Sequence, residues 1–444
     1  MSAAVAPPPA LPLATAAPLA PALPLAPALR GAEATVDDLF EDLLVVVFAS
    51  LDAVDLYGGA WHVSRAWRSA CRGVAPLQLA LRGRRLLVPL PLAWRERCPI
   101  RVANVEACTL PRTDRLNWAR CDSVIDSVVA ESLHELSWAG NAAEGDNTRY
   151  PLHHESLFRC VDRCKELRKL RISVGRRWLG PEHISRLSRL PLLEQLTLDA
   201  DVTAAPGGGG GCGCADVHTR LTAQTLSTLR ALRALSVRWE PLDTEDARTV
   251  GLLARGLPAL EALRLVSFAG PRSNGGYAGA TVNCVNCFFA GLVRPAQEGE
   301  GDGDGSALQP SRLRSLAVSF CECDRSSLRA LAVGVRRACP ALVELHVEIA
   351  HGRFDLSGSK LCTCPPDESL DAAAFVDAVR ALAGSSLQRL ALHVPGDFCL
   401  EAAVSRFARE RGVESEEFWR KEFVGRLEQL LSCEVELLSS RVPL

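Results

Sequence analysis

The chain is poor in lysine. Of its 50 basic residues only Lys165, Lys169, Lys360 and Lys421 are lysines. The 52 acidic residues balance them to a formal net charge of −2, which excludes a sequence-wide attraction to nucleic acid or an anionic membrane. No Asn-x-Ser/Thr acceptor occurs, and the 17 cysteines fall without a regular disulfide spacing. A reducing interior, cytoplasm or nucleus, is the expected home. No apolar run is long enough to span a bilayer. Catalytic signatures are missing as well. The glycine run 207–211 lacks the Gly-Lys-Ser/Thr that a phosphate loop needs, and no His-Glu-x-x-His or Gly-x-Ser-x-Gly is present. The expectation is a non-enzyme with no cofactor.

What is present is apolar residue in quantity, 48% of the chain, and from about residue 130 it is periodic. The unit is Leu-x-x-Leu-x-(Leu/Ile/Val). It appears as Leu167–Leu170–Ile172, Leu193–Leu196–Leu198, Leu232–Leu235–Val237 and Leu260–Leu263–Leu265. It returns as Leu313–Leu316–Val318, Leu342–Leu345–Val347 and Leu387–Leu390–Leu392, with a weaker copy at Leu133–Leu136–Trp138. The closest copies start 26, 28 and 29 residues apart (167 to 193, 232 to 260, 313 to 342). Leu-x-Leu places two apolar side chains on one face of a strand. Residues 246–257, 326–338 and 371–383 carry apolar residues at helical spacing. One strand and one helix per unit of this length is the pattern of long leucine-rich repeats, whose shared core only a stack can bury.

The expected organisation runs as follows. Residues 1–35 form a disordered Ala/Pro-rich tail, 36–73 a short helical module, and 74–130 a linker with an irregular first repeat. Residues 131–400 hold the repeats, with Gly-, Pro- or acid-rich loop insertions at 206–218, 295–312 and 357–368. Residues 401–444 form a helical cap built on the amphipathic stretch 416–431.

The helical module carries the most specific signal. Residues 39–67 read Leu39-Phe40-Glu41-Asp42-Leu43-Leu44, then Val47-Phe48-Ala49-Ser50-Leu51, Asp55-Leu56 and Val63-Ser64-Arg65-Ala66-Trp67. In order and spacing this resembles the F-box, with Phe40 where the family pattern has proline. Followed by leucine-rich repeats, the stretch makes the chain similar to F-box/leucine-rich-repeat proteins. That resemblance implies an α/β fold, a helical F-box-like module followed by a curved solenoid with parallel strands inside and helices outside. It also implies a substrate receptor of a Skp–cullin–F-box ubiquitin ligase, doing no chemistry itself. A Skp-type adaptor, and through it a cullin, would be held by Leu39, Phe40, Leu43, Leu44, Phe48, Leu51, Leu56, Val63 and Trp67. Of these, Val63 and Trp67 are expected inside the motif or beside the interface. So short a segment buries too little to hold itself together and needs a partner surface, from this chain or another. A bare cap on the array is the alternative reading of the same stretch.

A protein substrate is expected on the strand face opposite the leucines. The residues placed there are Lys169, Arg171, Gln195, Asp199, Arg238, Arg264, Glu344, His346, Glu348, Arg389 and His393. Two other functions stay open, a protein-binding scaffold without a ligase and a metal-binding regulator. For the latter, Cys212/Cys214, Cys284/Cys287, Cys321/Cys323 and Cys362/Cys364 are paired, but only Cys284 and Cys287 have a spacing common in zinc sites. Those two fall in a helical stretch where Cys284 and Phe288 share a core face, so no metal is expected. Asp302 and Asp304 lack the other ligands of a calcium loop.

Overall fold

The computed structural model describes residues 36–48, 51, 56, 60, 63–73, 77–82, 100–106, 133–139, 152–179, 181–201, 214–238, 244–266, 278–293, 311–323, 325–352, 372–395 and 416–440. Two helices come first, α1 (Val36–Phe48) and α2 (Arg65–Gly73). Three strands follow, β1 (Leu77–Arg82), β2 (Ile100–Glu106) and β3 (Glu135–Ala139). Helices and strands then alternate: α3 (Leu152–Arg163), β4 (Lys169–Trp178), α4 (Pro181–Leu187), β5 (Gln195–Asp201), α5 (Cys214–Leu226), β6 (Ala234–Arg238), α6 (Thr244–Gly256) and β7 (Ala262–Val266). The series continues with α7 (Ala278–Leu292), β8 (Ser315–Cys323), α8 (Arg325–Ala338), β9 (Glu344–Gly352), α9 (Ala372–Val379), β10 (Arg389–Pro395), α10 (Glu416–Leu431) and β11 (Glu434–Ser440).

The strands form one sheet of 11 in sequence order, and each neighbouring pair is parallel. The two ends of the order are edges, so the sheet is open. Its register aligns the motif leucines. Ala103, Leu136, Leu170, Leu196, Leu235, Leu263, Leu316, Leu345, Leu390 and Val435 form one row. Val105, Trp138, Ile172, Leu198, Val237, Leu265, Val318, Val347 and Leu392 form the next that faces the same way. All of these are buried, as are the leading leucines Leu167, Leu193, Leu232, Leu260, Leu313, Leu342 and Leu387. The chain is an α/β solenoid of leucine-rich repeats.

The backbone repeats as faithfully as the side chains. At the entries of β4 to β10 two consecutive amides donate to one carbonyl of the preceding unit. Glu194 and Gln195 donate to Arg168, Arg233 and Ala234 to Glu194, Glu261 and Ala262 to Arg233. Arg314 and Ser315 donate to Glu261, Val343 and Glu344 to Arg314, Gln388 and Arg389 to Val343. Successive helices from α3 to α9 pack side by side behind the sheet. Packed helices need 8–10 Å each where strands need about 4.8 Å. The stack therefore bends toward the strands and makes their free face concave.

Two ends differ from the sequence reading. Residues 74–130 hold two strands, β1 and β2. Their motif is masked because Pro76 and Ile100 stand at the leading leucine position, and Ala103 takes the second in β2. At the other end the cap is more than a helix. The strand β11 follows α10 and pairs along all seven residues of β10. Ser432 stands at its leading position with φ 54°, ending α10 in the left-handed conformation while its amide donates to Glu428 O at 2.7 Å. The expected loops lie largely outside the described residues, though α5 begins at Cys214, inside the stretch expected to be a loop.

Candidate functional site

Two surfaces are candidates, the N-terminal helices and the concave sheet face. In the N-terminal module, Leu44, Phe48, Leu56, Ala60, Ala70 and Cys71 belong to the same continuous buried cluster as the repeat leucines. Phe48 meets Trp67 edge-on, with ring centroids 5.0 Å apart and planes at 62°. Ser64 caps α2, its Oγ accepting from the Trp67 amide at 3.1 Å. Leu51 and Trp67 are partly buried against the core. The burial this segment needs is thus supplied by its own chain.

The other side of α1 is exposed. Leu43 is 61% exposed, Val46 60% and Val47 59%, and Val63, before α2, is 60% exposed. Leu43, Val46 and Val47 fall at i, i+3 and i+4 and so form one stripe. Of the residues assigned to an adaptor, Leu43 and Val63 are on the surface, while Leu44, Phe48 and Leu56 are enclosed. Of the two residues expected inside the motif or beside the interface, Trp67 is partly buried against the core and Val63 is exposed. Leu39 and Phe40 are in α1, and their side chains lie outside the described residues. Val46 is a residue the family pattern does not single out. Helical spacing from Leu43 is the signal that finds it.

On the sheet, every residue assigned to the concave face alternates with the core residues along its strand and so lies on the face away from the helices. Register brings them into three rows. The first runs Glu135, Lys169, Gln195, Ala234, Ala262, Ser315, Glu344, Arg389, Glu434. The second contains Arg171, Thr197, Ser236, Arg264, Ala317, His346, Ala391 and Glu436. The third includes Ser173 beside Asp199, and Glu348 beside His393.

Ion pairs tie neighbouring strands. Lys169 Nζ is 2.8 Å from Glu135, Arg238 is 2.9 Å from Asp199, and Arg389 is 2.5 Å from Glu436. Ser173 Oγ donates to the second Asp199 oxygen at 2.9 Å. Arg264 reaches over β8 to Glu348 at 3.8 Å, a span left open by the small Ala317 between them. His346 and His393 stack with centroids 6.1 Å apart and planes at 14°. Burial, then the charges of Arg264 and His393, push the His346 pKa below its ordinary 6.5 against the pull of Glu348 and Glu436. Glu135, Glu434 and Glu436 belong to this surface but escaped the motif reading. The last two lie in β11, whose Cys433-x-Val435-x-Leu437 alternation is its one sequence signal.

The cysteines read as packing. Cys284 and Phe288 are both buried in α7. Burial pushes the thiols of Cys164 and Cys339 up to about 12, so neither is a thiolate at neutral pH. Cys321 and Cys323 lie in β8, and Cys212, Cys362 and Cys364 lie outside the described residues. Among the described residues no three His, Cys, Asp or Glu side chains converge on a metal-sized site, and no helix is long and apolar enough to cross a membrane.

No family model matches the chain, and no curated protein does. Among solved structures, the leucine-rich repeat-containing protein LegL7 from Legionella pneumophila matches over 82% of this chain and 91% of its own, at 11% identity and a TM-score of 0.38. The superposition is loose, and the leucine-rich-repeat architecture rests on this chain's own register and ladder.

Proposed function

We propose that the chain is a receptor that carries a bound protein to a ubiquitin ligase, with α1 and α2 docking on a Skp-type adaptor and the concave sheet holding the target. The observation that carries this reading is the two-sided α1. Leu44 and Phe48 are buried in the chain's own core cluster, and Leu43, Val46 and Val47 on its other side are exposed. An apolar helical stripe held rigidly outward suits a helix-in-groove or helix-on-helix partner. The receptor does no chemistry. It raises the effective concentration of its target near a transfer enzyme that the cullin recruits, in cytoplasm or nucleus.

The test is co-purification of the full-length chain with a Skp-type adaptor. Wild type should retain the adaptor and Leu43→Asp/Val46→Asp should lose it while keeping the same melting temperature. If wild type captures no adaptor, the ligase reading falls. A second reading then stands, favoured by the burial of Leu44, Phe48 and Leu56 in the chain's own core. The helices would serve as an N-terminal cap on a protein-binding scaffold.

A further inference from the structure

The concave face is electrically divided. Among the residues whose side chains are described, β4 to β7 carry Lys169, Arg171, Arg238 and Arg264 against Asp199, with Glu135 of β3 at the border beside Lys169. Over β9 to β11 it carries Glu344, Glu348, Glu434 and Glu436 against a single guanidinium, Arg389. Between them β8 offers Ser315, Ala317 and Ser319, small and uncharged. Ion pairs engage Lys169 with Glu135, Arg238 with Asp199 and Arg264 with Glu348, and the division then rests on Arg171 at one side and Glu344 and Glu434 at the other. Arg171 is exposed and makes no ion pair among the described residues. Glu344 and Glu434 flank Arg389 in one register row, while Arg389 bonds only Glu436. Among the described residues, Arg264 and Glu348 bridge the halves, 3.8 Å apart with Arg264 still 56% exposed.

We infer that the concave face binds an extended protein segment of mixed charge, lying across the strands with Asp or Glu side chains over β4–β7 and arginines over β9–β11. This rests on the reading of the concave face as the target-binding surface. Thr197 and Ser236 stand in the row between Arg171 and Arg264, and their hydroxyls add donors for the segment's carboxylates. On the acidic side the stacked rings of His346 and His393 form a flat shelf, which a planar guanidinium fits better than an ammonium does. The middle of the basic half and the middle of the acidic half lie about 4.5 strand spacings, or about 22 Å, apart. An extended chain covers that in about six residues. The charge division therefore selects segments whose acidic and basic clusters are that far apart, and it repels segments of uniform charge from one half of the face.

The probe is a fluorescein-labelled peptide with an Asp-Glu-Asp block and an Arg-Arg-Arg block joined by Ser-Gly-Ser, titrated by anisotropy at low salt against the full-length protein. It should bind about tenfold or more tighter than either block alone on the same linker. Arg171→Glu/Arg264→Glu should abolish that advantage and binding of the acidic block, yet hold the arginine block at or above wild-type strength. Glu344→Gln/Glu348→Gln should do the converse, and replacing the three arginines of the probe by lysines should weaken it. Equal affinity for the three peptides overturns the inference, as does loss of both single blocks in either variant at an unchanged melting temperature. Should a reversal variant unfold, Arg171→Gln/Arg264→Gln answers the same question. Adaptor capture through Leu43 and Val46 is independent of these peptides. Capture without peptide discrimination sinks this inference alone, and discrimination without capture sinks the ligase alone.

Discussion

Single residues set the tightest constraints in the helical layer. Helices α6 and α7 cross with their backbones touching. A Cβ on Gly251 would stand 2.1 Å from Phe288 O, and one on Gly291 would stand 2.3 Å from Arg248 O. Backbone cannot swing aside as a side chain can. Gly251→Ala should therefore cost about 1–3 kcal/mol, read as a lowered midpoint in a denaturant melt. At Gly334 the atoms in the way belong to the buried Phe289 ring, its Cγ at 2.4 Å among them, so the whole side chain must shift and Gly334→Ala should also destabilise. A second residue-scale effect concerns His346. Its pKa is lowered in the folded chain, by burial first and Arg264 next. The unfolded chain therefore takes up the proton more readily, and stability falls as pH drops below 6.5. His346→Gln should flatten that decline. Melting temperatures of both proteins at pH 7.5 and 5 measure it, and equal slopes would assign the decline to other groups.

At the scale of elements, each repeat was legible where its three apolar positions were filled. The unit Leu342–Leu345–Val347 leads straight to β9, and 326–338 to α8. Residues 246–257 lead to α6, whose Glu245 and Asp246 at the first turn and Arg255 at the last complement the helix dipole. Strands β1, β2 and β11 were not legible. Their pairing with a neighbour compensates for a missing leucine, and that compensation is invisible along the chain. Helix α1 makes a related point. Leu43 and Leu44 are adjacent and equally apolar, yet one is 61% exposed and the other 9%. Leu44→Asp should destabilise the full-length protein by about 3 kcal/mol or more through burial of a charge, whereas Leu43→Asp should leave the melting temperature within a degree or two. Thermal melts of the two single variants distinguish a residue buried in the core from an exposed one.

At the scale of the whole molecule, an open sheet has two edges that must be managed. The α10–β11 unit forms one of them and closes the core there. Leu427, Leu431, Cys433 and Val435 close the core behind β10, and β11 occupies its free backbone groups. Deleting residues 416–444 should leave β10 with an unpaired edge and an uncapped core, and convert a monodisperse protein into one that aggregates on gel filtration. A truncated chain that remained monodisperse would show the unit to be dispensable as a cap. It would also lack Glu434 and Glu436, and with them half of the acidic side of the concave face.

The sequence by itself determined the repeat, the side of each strand that enters the core and the identity of the residues on its other side. Those follow from a period of two along a strand and from a unit of 26 to 29 residues, both local properties of the chain. It also carried the F-box resemblance in 39–67. Only the tertiary structure decided which charges meet. Arg264 finds Glu348 from 84 positions away, and Arg171 and Glu344 lie on one surface, on β4 and β9, because parallel register stacks their strands. It likewise decided which apolar residues of α1 face the repeats and which face solvent. Hydrophobicity states only that a side chain prefers burial, and the direction of the neighbouring core determines which ones obtain it.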